Sequence, residues 1–216
     1  YIGTWSFIFI IREFKYYVLE NDLDFDNHSI SGIGSITNDS VFMGNFDGNG
    51  YSLNNILIDN PNTYDSIDYY GIFSTTKNAT ISNLNISNIN IKVKDSSNNM
   101  RIGTISGVSL VDDSSDNTSD ILSTFKNISI NNSVIDISDT LYDKNTYIGG
   151  FSGYLDKKIN AYNIYLNNNK IYNTWTEDYC PKVYLGDKKY NLNKKYIIYA
   201  TICIEPGYLE TKFEAG

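Results

Sequence analysis

The chain has 216 residues, a formal net charge of −8 and a sequence pI near 4.6. So acidic a balance argues against nucleic acid as a partner, because phosphate binding calls for a basic surface. One His and two Cys, with no CxxC, argue against a zinc site of the usual kind, while 41% hydrophobic residues and 19 Tyr supply enough apolar surface for a core.

At the N-terminus, Phe7–Ile11 (FIFII) is the longest apolar run. It is far shorter than the roughly 20 residues that cross a bilayer. It is expected as a buried strand or as part of an N-terminal cap over residues 1–15. The start at Tyr1 without Met and the bare FEAG end suggest a part of a longer protein.

Next, Asp22, Asp24 and Asp26 alternate with Leu23 and Phe25. On a strand this turns the apolar pair inward and three carboxylates outward. Clustered oxygens suit Ca²⁺ or sugar hydroxyls; the plainer reading is a solvated acidic face beside a turn. Asp47-Gly48-Asn49-Gly50 resembles the start of an EF-hand, but Tyr51 holds the fifth position and no closing Glu follows. A tight turn is expected instead, with Gly48 and Gly50 supplying φ > 0.

From here the chain repeats itself. Leu53–Asn60 (LNNILIDN), Ile81–Asn88 (ISNLNISN), Phe125–Asn132 (FKNISINN) and Ala161–Asn168 (AYNIYLNN) share the pattern apolar-x-Asn-apolar-x-apolar-x-Asn. Asn is one residue in about seven (29 of 216), so composition alone does not account for eight matches at eight positions. Before each copy stands a Gly-x-apolar-Ser/Asp element: Gly44–Asp47, Gly71–Ser74, Gly103–Ser106 and Gly149–Ser152. A repeat of this size marks units that cannot bury a face alone and must stack.

The spacing within a copy carries geometry. Ile81 and Leu84 are three apart, so both point inward only if the strand bends between them, at Asn83. Ile86 and Ile91 are five apart and need a second bend, at Asn88. Asn tolerates the left-handed region better than other non-glycine residues. With strands stacked about 4.8 Å apart, equivalent Asn side chains can hydrogen-bond in ladders. The expected ladders are Asn55, Asn83, Asn127 and Asn163, and Asn60, Asn88, Asn132 and Asn168. The fold so predicted is all-β: a parallel β-helix over residues 1–171, with about four recognisable turns of chain.

Length variation is expected in loops, at Asp59–Tyr70, Gly107–Ser123 and Ser138–Tyr147. The second contains Asp112, Asp113 and Asp116, a weak cation candidate better read as a flexible polar loop. Tyr162, Tyr165, Tyr172 and Trp175 offer either sugar-stacking platforms or an aromatic packing wall. Residues 172–216 lack the repeat and are expected to form a divergent last turn or a C-terminal cap. Cys180 and Cys203 could pair, which the sequence does not decide.

The stretches YYVLENDLDFDNHSISGIGS, FMGNFDGNGYSLNNILIDN, GIFS, ISNLNISN and IGGFSG resemble the GLUG-repeat group over about Tyr16–Ile171, most specifically at Phe42–Gly50. The Gly-Leu-x-Gly unit itself is degenerate here. The resemblance implies a right-handed parallel β-helix of the sort found in bacterial and archaeal adhesin-like surface proteins, and beside the catalytic domain of IgA-cleaving metallopeptidases. No HExxH is present.

The function expected is therefore non-catalytic: projection and adhesion at a cell surface or in a secreted protein. The partner would be a host glycan or surface protein. No resident cofactor is expected, Ca²⁺ aside. The alternatives are a polysaccharide lyase or glycoside hydrolase, which needs converging carboxylates, or an accessory region of a larger surface peptidase.

Overall fold

The structure is a computed structural model that describes residues 15–36, 40–94, 96–110, 123–137, 146–155, 159–172 and 209–214. Phe7–Ile11, Asp112, Asp113, Asp116, Trp175, Cys180 and Cys203 lie outside the described residues.

Among the described residues there is no helix, and none is therefore long and apolar enough to cross a membrane. The strands are β1 (Tyr16–Val18), β2 (Leu23–Asp24), β3 (Ser29–Ser31), β4 (Asn45–Asp47), β5 (Ser52–Asn60), β6 (Asn62–Tyr64), β7 (Ile67–Tyr70), β8 (Phe73–Lys77) and β9 (Thr80–Lys92). They continue with β10 (Asn99–Gly103), β11 (Ser106–Leu110), β12 (Thr124–Asn131), β13 (Val134–Asp136), β14 (Thr146–Gly149), β15 (Ser152–Leu155), β16 (Asn160–Tyr172) and β17 (Leu209–Glu214).

Three sheets, mainly parallel, collect these strands. The largest holds β1–β5, β9, β12, β13, β16 and β17. A second runs β14-β10-β7-β6 and a third β15-β11-β8. The chain visits them cyclically: β9, then β10, then β11, then β12 and β13 back in the first sheet, then β14, β15 and β16. Each strand therefore lies beside its equivalent one repeat later. Thr124 pairs with Thr80 on one side and Asn160 on the other, steps of 44 and 36 residues. Parallel neighbours of this kind need long crossovers, which the repeat supplies.

Register turns the sequence pattern into columns of inward side chains, buried in the later copies and half-buried at Tyr17, Leu23 and Phe46. Tyr17, Phe46, Ile81, Phe125 and Ala161 are successive partners, as are Leu23, Leu53, Ile86, Ile130 and Leu166. Leu84, Ile128 and Ile164 form a third column, fully buried. Phe42 and Phe46 pack on Phe73 with ring centroids 4.9 and 5.5 Å away, and Phe125 meets Phe151 edge-on at 5.0 Å. Burying an Ile, Leu or Phe side chain contributes about 1.5–3 kcal/mol, so these columns are the main favourable term.

The bends expected at Asn83 and Asn88 are present, at φ 53° and 56°. Ile89 is buried like Ile86 and Ile91, so at each corner of β9 the residue two before the Asn and the residue just after it both face inward: Ile81 and Leu84 around Asn83, Ile86 and Ile89 around Asn88. The same left-handed conformation recurs at Asn55, Asn127, Asn132, Asn163 and Asn168.

Copy one departs from the expected alignment. Leu53 pairs with Ile86, not with the position of Ile81, so Asn55 stands opposite Asn88 and belongs to the second corner. Asn60 pairs with Ser31, has no left-handed backbone and is outside both ladders. The first corner of this copy is the turn Asp47-Gly48-Asn49-Gly50. Four residues lie between Asp47 and Ser52, whereas two lie between their partners Ser82 and Asn85. The insertion hid the true register from pattern matching. Likewise Gly44 lies beside the start of β9, where its carbonyl accepts from Thr80 N–H. Gly32 takes the place expected of Gly44: a Cβ there would meet Gly71 O and Ser74. In the turn itself the positive φ values belong to Asn49 (51°) and Gly50 (81°). Gly48 is required for another reason, since a Cβ on it would come within 3 Å of Asn83 and Leu84.

The predicted loops also contain strands. Asp59–Tyr70 holds the antiparallel hairpin of β6 and β7, turning through Asp65 and Ser66 at φ 48° and 58°. Gly107–Leu110 is part of β11, and Thr146–Tyr147 opens β14. In the C-terminal region, β17 runs antiparallel along β16, covering an edge that would otherwise present unpaired backbone groups.

Candidate functional site

Two columns of side-chain amides run along the corners of the first sheet. In one, Asn163 donates to Asn127 Oδ1 (2.9 Å), Asn127 to Asn83 Oδ1 (2.8 Å), and Asn83 to Asp47 Oδ1 (3.0 Å). In the other, Asn88 donates to Asn55 Oδ1 (3.0 Å) and Asn55 to Asp24 Oδ1 (2.9 Å), while Asn168 donates to Asn132 Oδ1 (2.7 Å). Both columns thus reach an Asp at the N-terminal end. Each of these Asp residues also accepts the backbone N–H two residues on, from Asp26 and from Asn49. That is an Asx-turn, the local chemistry that makes Asp and Asn good turn formers.

The two carboxylates are electrostatically alike. The Asp26 N–H and then the Asn55 amide hold the Asp24 carboxyl below its usual range. Burial pushes Asp47 up, but the Asn49 N–H, the Asn83 amide, the Tyr16 hydroxyl and the Lys126 charge together bring it below that range. Tyr16 donates to Asp47 at 2.9 Å, which raises the phenol. Asp59 is lowered by Lys94, at 2.8 Å, and by Ser29.

Asp22, Asp24 and Asp26 are all exposed, as the alternation predicts, but each has a different local role. Asp24 ends a ladder, Asp22 accepts the Ser52 N–H at 2.7 Å, and Asp26 sits in a left-handed turn at φ 48°. Leu23 and Phe25 pack against the core as the alternation requires. His28 lies in the same turn, its Nδ1 2.8 Å from Phe25 O. Among the described residues no three His, Cys, Asp or Glu side chains are grouped to hold a metal ion.

Tyr162 and Tyr165 are exposed on β16, at 46% and 49%. They flank the corner at Asn163. Register places Tyr162 in line with Lys126 and Ser82, and Tyr165 in line with Ser129 and Asn85. Ser129 donates to Asn85 Oδ1 at 2.9 Å, fixing the polar surface below Tyr165. Tyr172 closes β16. The face so formed offers ring surface, hydroxyls, amides and an ammonium in adjoining columns.

An apolar cavity of about 400 Å³ opens beside the first strands, lined by Leu19, Leu23, Phe25, Ile33, Phe46 and Ile72 among others. Among the described residues no charged side chain lines it.

Sequence reasoning missed the two column-ending Asp residues. Their signal was present, since Asp-x-Asp-Asn and Asp-Gly-Asn-Gly are both Asx-turn sequences lying where a corner Asn is absent. It also missed a cluster in which Arg101 lies between two tyrosines. Its Cζ is 4.0 Å from the Tyr147 ring centroid and 4.6 Å from that of Tyr154. Comparison with models of protein families, with curated proteins and with solved structures finds no match for this chain.

Proposed function

We propose that the chain is a right-handed parallel β-helix of the GLUG-repeat kind, a non-catalytic module of a cell-surface or secreted protein. Its role is projection and adhesion, and its ligand is a glycan or surface protein held on a lateral face. One observation carries this reading: equivalent outward residues stand in register from copy to copy, so that Lys126 and Tyr162 adjoin Asn85, Ser129 and Tyr165. Such a flat polar and aromatic face suits an extended saccharide, whose rings stack on tyrosine and whose hydroxyls meet amides. The cyclic path of the chain through three sheets supports the β-helical reading, and the quoted GLUG-like stretches support the kinship.

The test is a glycan and surface-protein binding screen of the 216-residue chain, run with and without EDTA, with an assay for newly formed reducing ends. Binding without turnover, weakened by Tyr162→Ala or Tyr165→Ala at unchanged stability, is the expected result. Release of sugar ends would replace this reading with that of a polysaccharide-cleaving enzyme. Loss of binding in EDTA would place Ca²⁺ at the contact.

A further inference from the structure

The second and third sheets meet along a crease away from the main core. Glycines make the approach possible: a Cβ on Gly153 would come within 3 Å of Ile102 N, Arg101 C and Gly107 O, and one on Gly107 within 3.2 Å of Arg101 O. Val108 and Tyr69 are buried beside this crease, yet neither belongs to the main apolar cluster. Arg101 rises from β10 here, between its register partners Tyr69 and Tyr147. Tyr147 and Tyr154 meet edge to face, 5.4 Å apart at 78°, and Arg101 lies against both rings.

Cation–π contact of this kind stabilises a guanidinium by about 0.5–2 kcal/mol. It satisfies the faces of the group and not its edge. The N–H donors lie in the guanidinium plane, and Nη1 is buried there without a hydrogen-bond partner. A buried, unsatisfied donor costs about 1–3 kcal/mol, more when charged. In a chain with 25 Asp and Glu against 17 Lys and Arg, no carboxylate among the described residues lies within ion-pair distance of Arg101. Arg101 as a whole is only half-buried, so the part of its guanidinium that the protein does not enclose, framed by two rings in an acidic protein, is poised for an acceptor from outside.

We propose that Arg101, Tyr147 and Tyr154 form a binding site for an acidic saccharide, whose carboxylate or sulfate pairs with the guanidinium edge while the sugar ring packs on tyrosine. A planar or tetrahedral oxyanion meets two parallel N–H groups at once, the geometry in which arginine exceeds lysine. The inference rests on the glycan-binding reading above and narrows it to anionic sugars at a different face from Tyr162 and Tyr165.

The experiment uses the 216-residue chain and fluorescent hexasaccharides: oligogalacturonate and a heparin fragment as acidic probes, xylohexaose and maltohexaose as neutral ones, with a poly-glutamate peptide as competitor. Fluorescence polarisation should show an acidic probe binding about tenfold or more tighter than either neutral one, with affinity falling as salt rises. Arg101→Lys, which keeps the charge and loses the fork, should weaken that binding about tenfold at unchanged urea midpoint. In nitrogen-15 spectra of the unaltered protein, the Arg101 side-chain resonance should shift with the acidic probe and not with the neutral ones. This second readout holds even if the variant fails to fold. Equal affinity for neutral and acidic probes, an unaffected Arg101→Lys variant, an unmoved Arg101 resonance, or binding of poly-glutamate in preference to the sugars would each overturn the proposal. Neutral sugars bound regardless of Arg101 would sink this site and leave the glycan-binding reading standing; absence of any saccharide binding would remove both this site and the glycan reading, leaving a surface protein as the ligand of the adhesion module.

Discussion

An asparagine held near φ +54° sits where most L-residues are disfavoured by about 1–2 kcal/mol, and the described residues include seven of them at strand corners. The net gain of an amide hydrogen bond, about 0.5–1.5 kcal/mol, roughly offsets that strain, so the ladder makes the bend affordable and the inward Leu and Ile on either side supply the surplus. Asn127, which both donates and accepts in its column, separates these terms. Asn127→Gly keeps the backbone and loses the bonds; Asn127→Ala loses both. Urea unfolding should rank them original, then Gly, then Ala, with the Ala variant less stable by about 1–3 kcal/mol. Equal stability of all three would mean that the column contributes nothing. The carboxylates that end the columns add a pH dependence. Asp24, Asp47 and Asp59 all lie below their usual range in the folded protein, so their contribution is present above the unfolded value, about 3.9, and is lost as pH falls through the folded ones. Urea midpoints should be level down to about pH 5 and decline below about pH 4. Asp47→Asn, which still offers an acceptor to Asn83, should flatten part of that decline; an acid limb as steep as before would exclude Asp47 from it.

A strand that turns twice and still buries one residue in two or three is a legible object, and β9 shows how far reading goes. The odd steps Ile81–Leu84 and Ile86–Ile91 and the corners between them follow from side-chain parity, and Leu84, Ile86 and Ile91 are fully buried as that parity requires. Leu84→Asp should unfold the chain cooperatively, because a carboxylate there has no partner in an apolar column; Leu84→Ala should cost about 2–5 kcal/mol. Thermal melting unchanged in either variant would place Leu84 outside the core. What escaped reading was set by neighbours rather than by local pattern. The alignment of β5 failed because Asp47-Gly48-Asn49-Gly50 spends two extra residues at a corner, and nothing in LNNILIDN betrays that shift. The hairpin of β6 and β7 sits in a polar stretch, and Asp68 is buried there by Thr63, Ser96 and Asn98, three donors that only the fold assembles. Arg101 was invisible for the same reason: Tyr147 and Tyr154 lie 46 and 53 residues away in sequence and meet it only when the second and third sheets converge. Gly153→Ala tests that convergence, since an added methyl would push β15 off β10; the variant should unfold at lower urea than the parent, and an unchanged midpoint would show the crease to be loose.

Across the whole molecule, stability is expected to accrue by neighbouring contacts, because each copy touches the copies before and after it. Thr124 through Ile159 spans one full step, given that Thr124 and Asn160 are register partners. A chain carrying that segment twice should fold, with a larger urea m-value in proportion to the surface added; aggregation or a smaller m-value would mean that the copies are not interchangeable. The amide columns say where such growth has room. Every link passes its hydrogen the same way, toward the N-terminal side, and Asp24 and Asp47 receive without giving. The pile thus has a foundation course, and its other end is roofed by β17 lying along β16. Evolution by copying would lengthen it from within and leave floor and roof alone, so a homologue of different height should keep its two aspartates at the bottom and vary in how many asparagines stand over them.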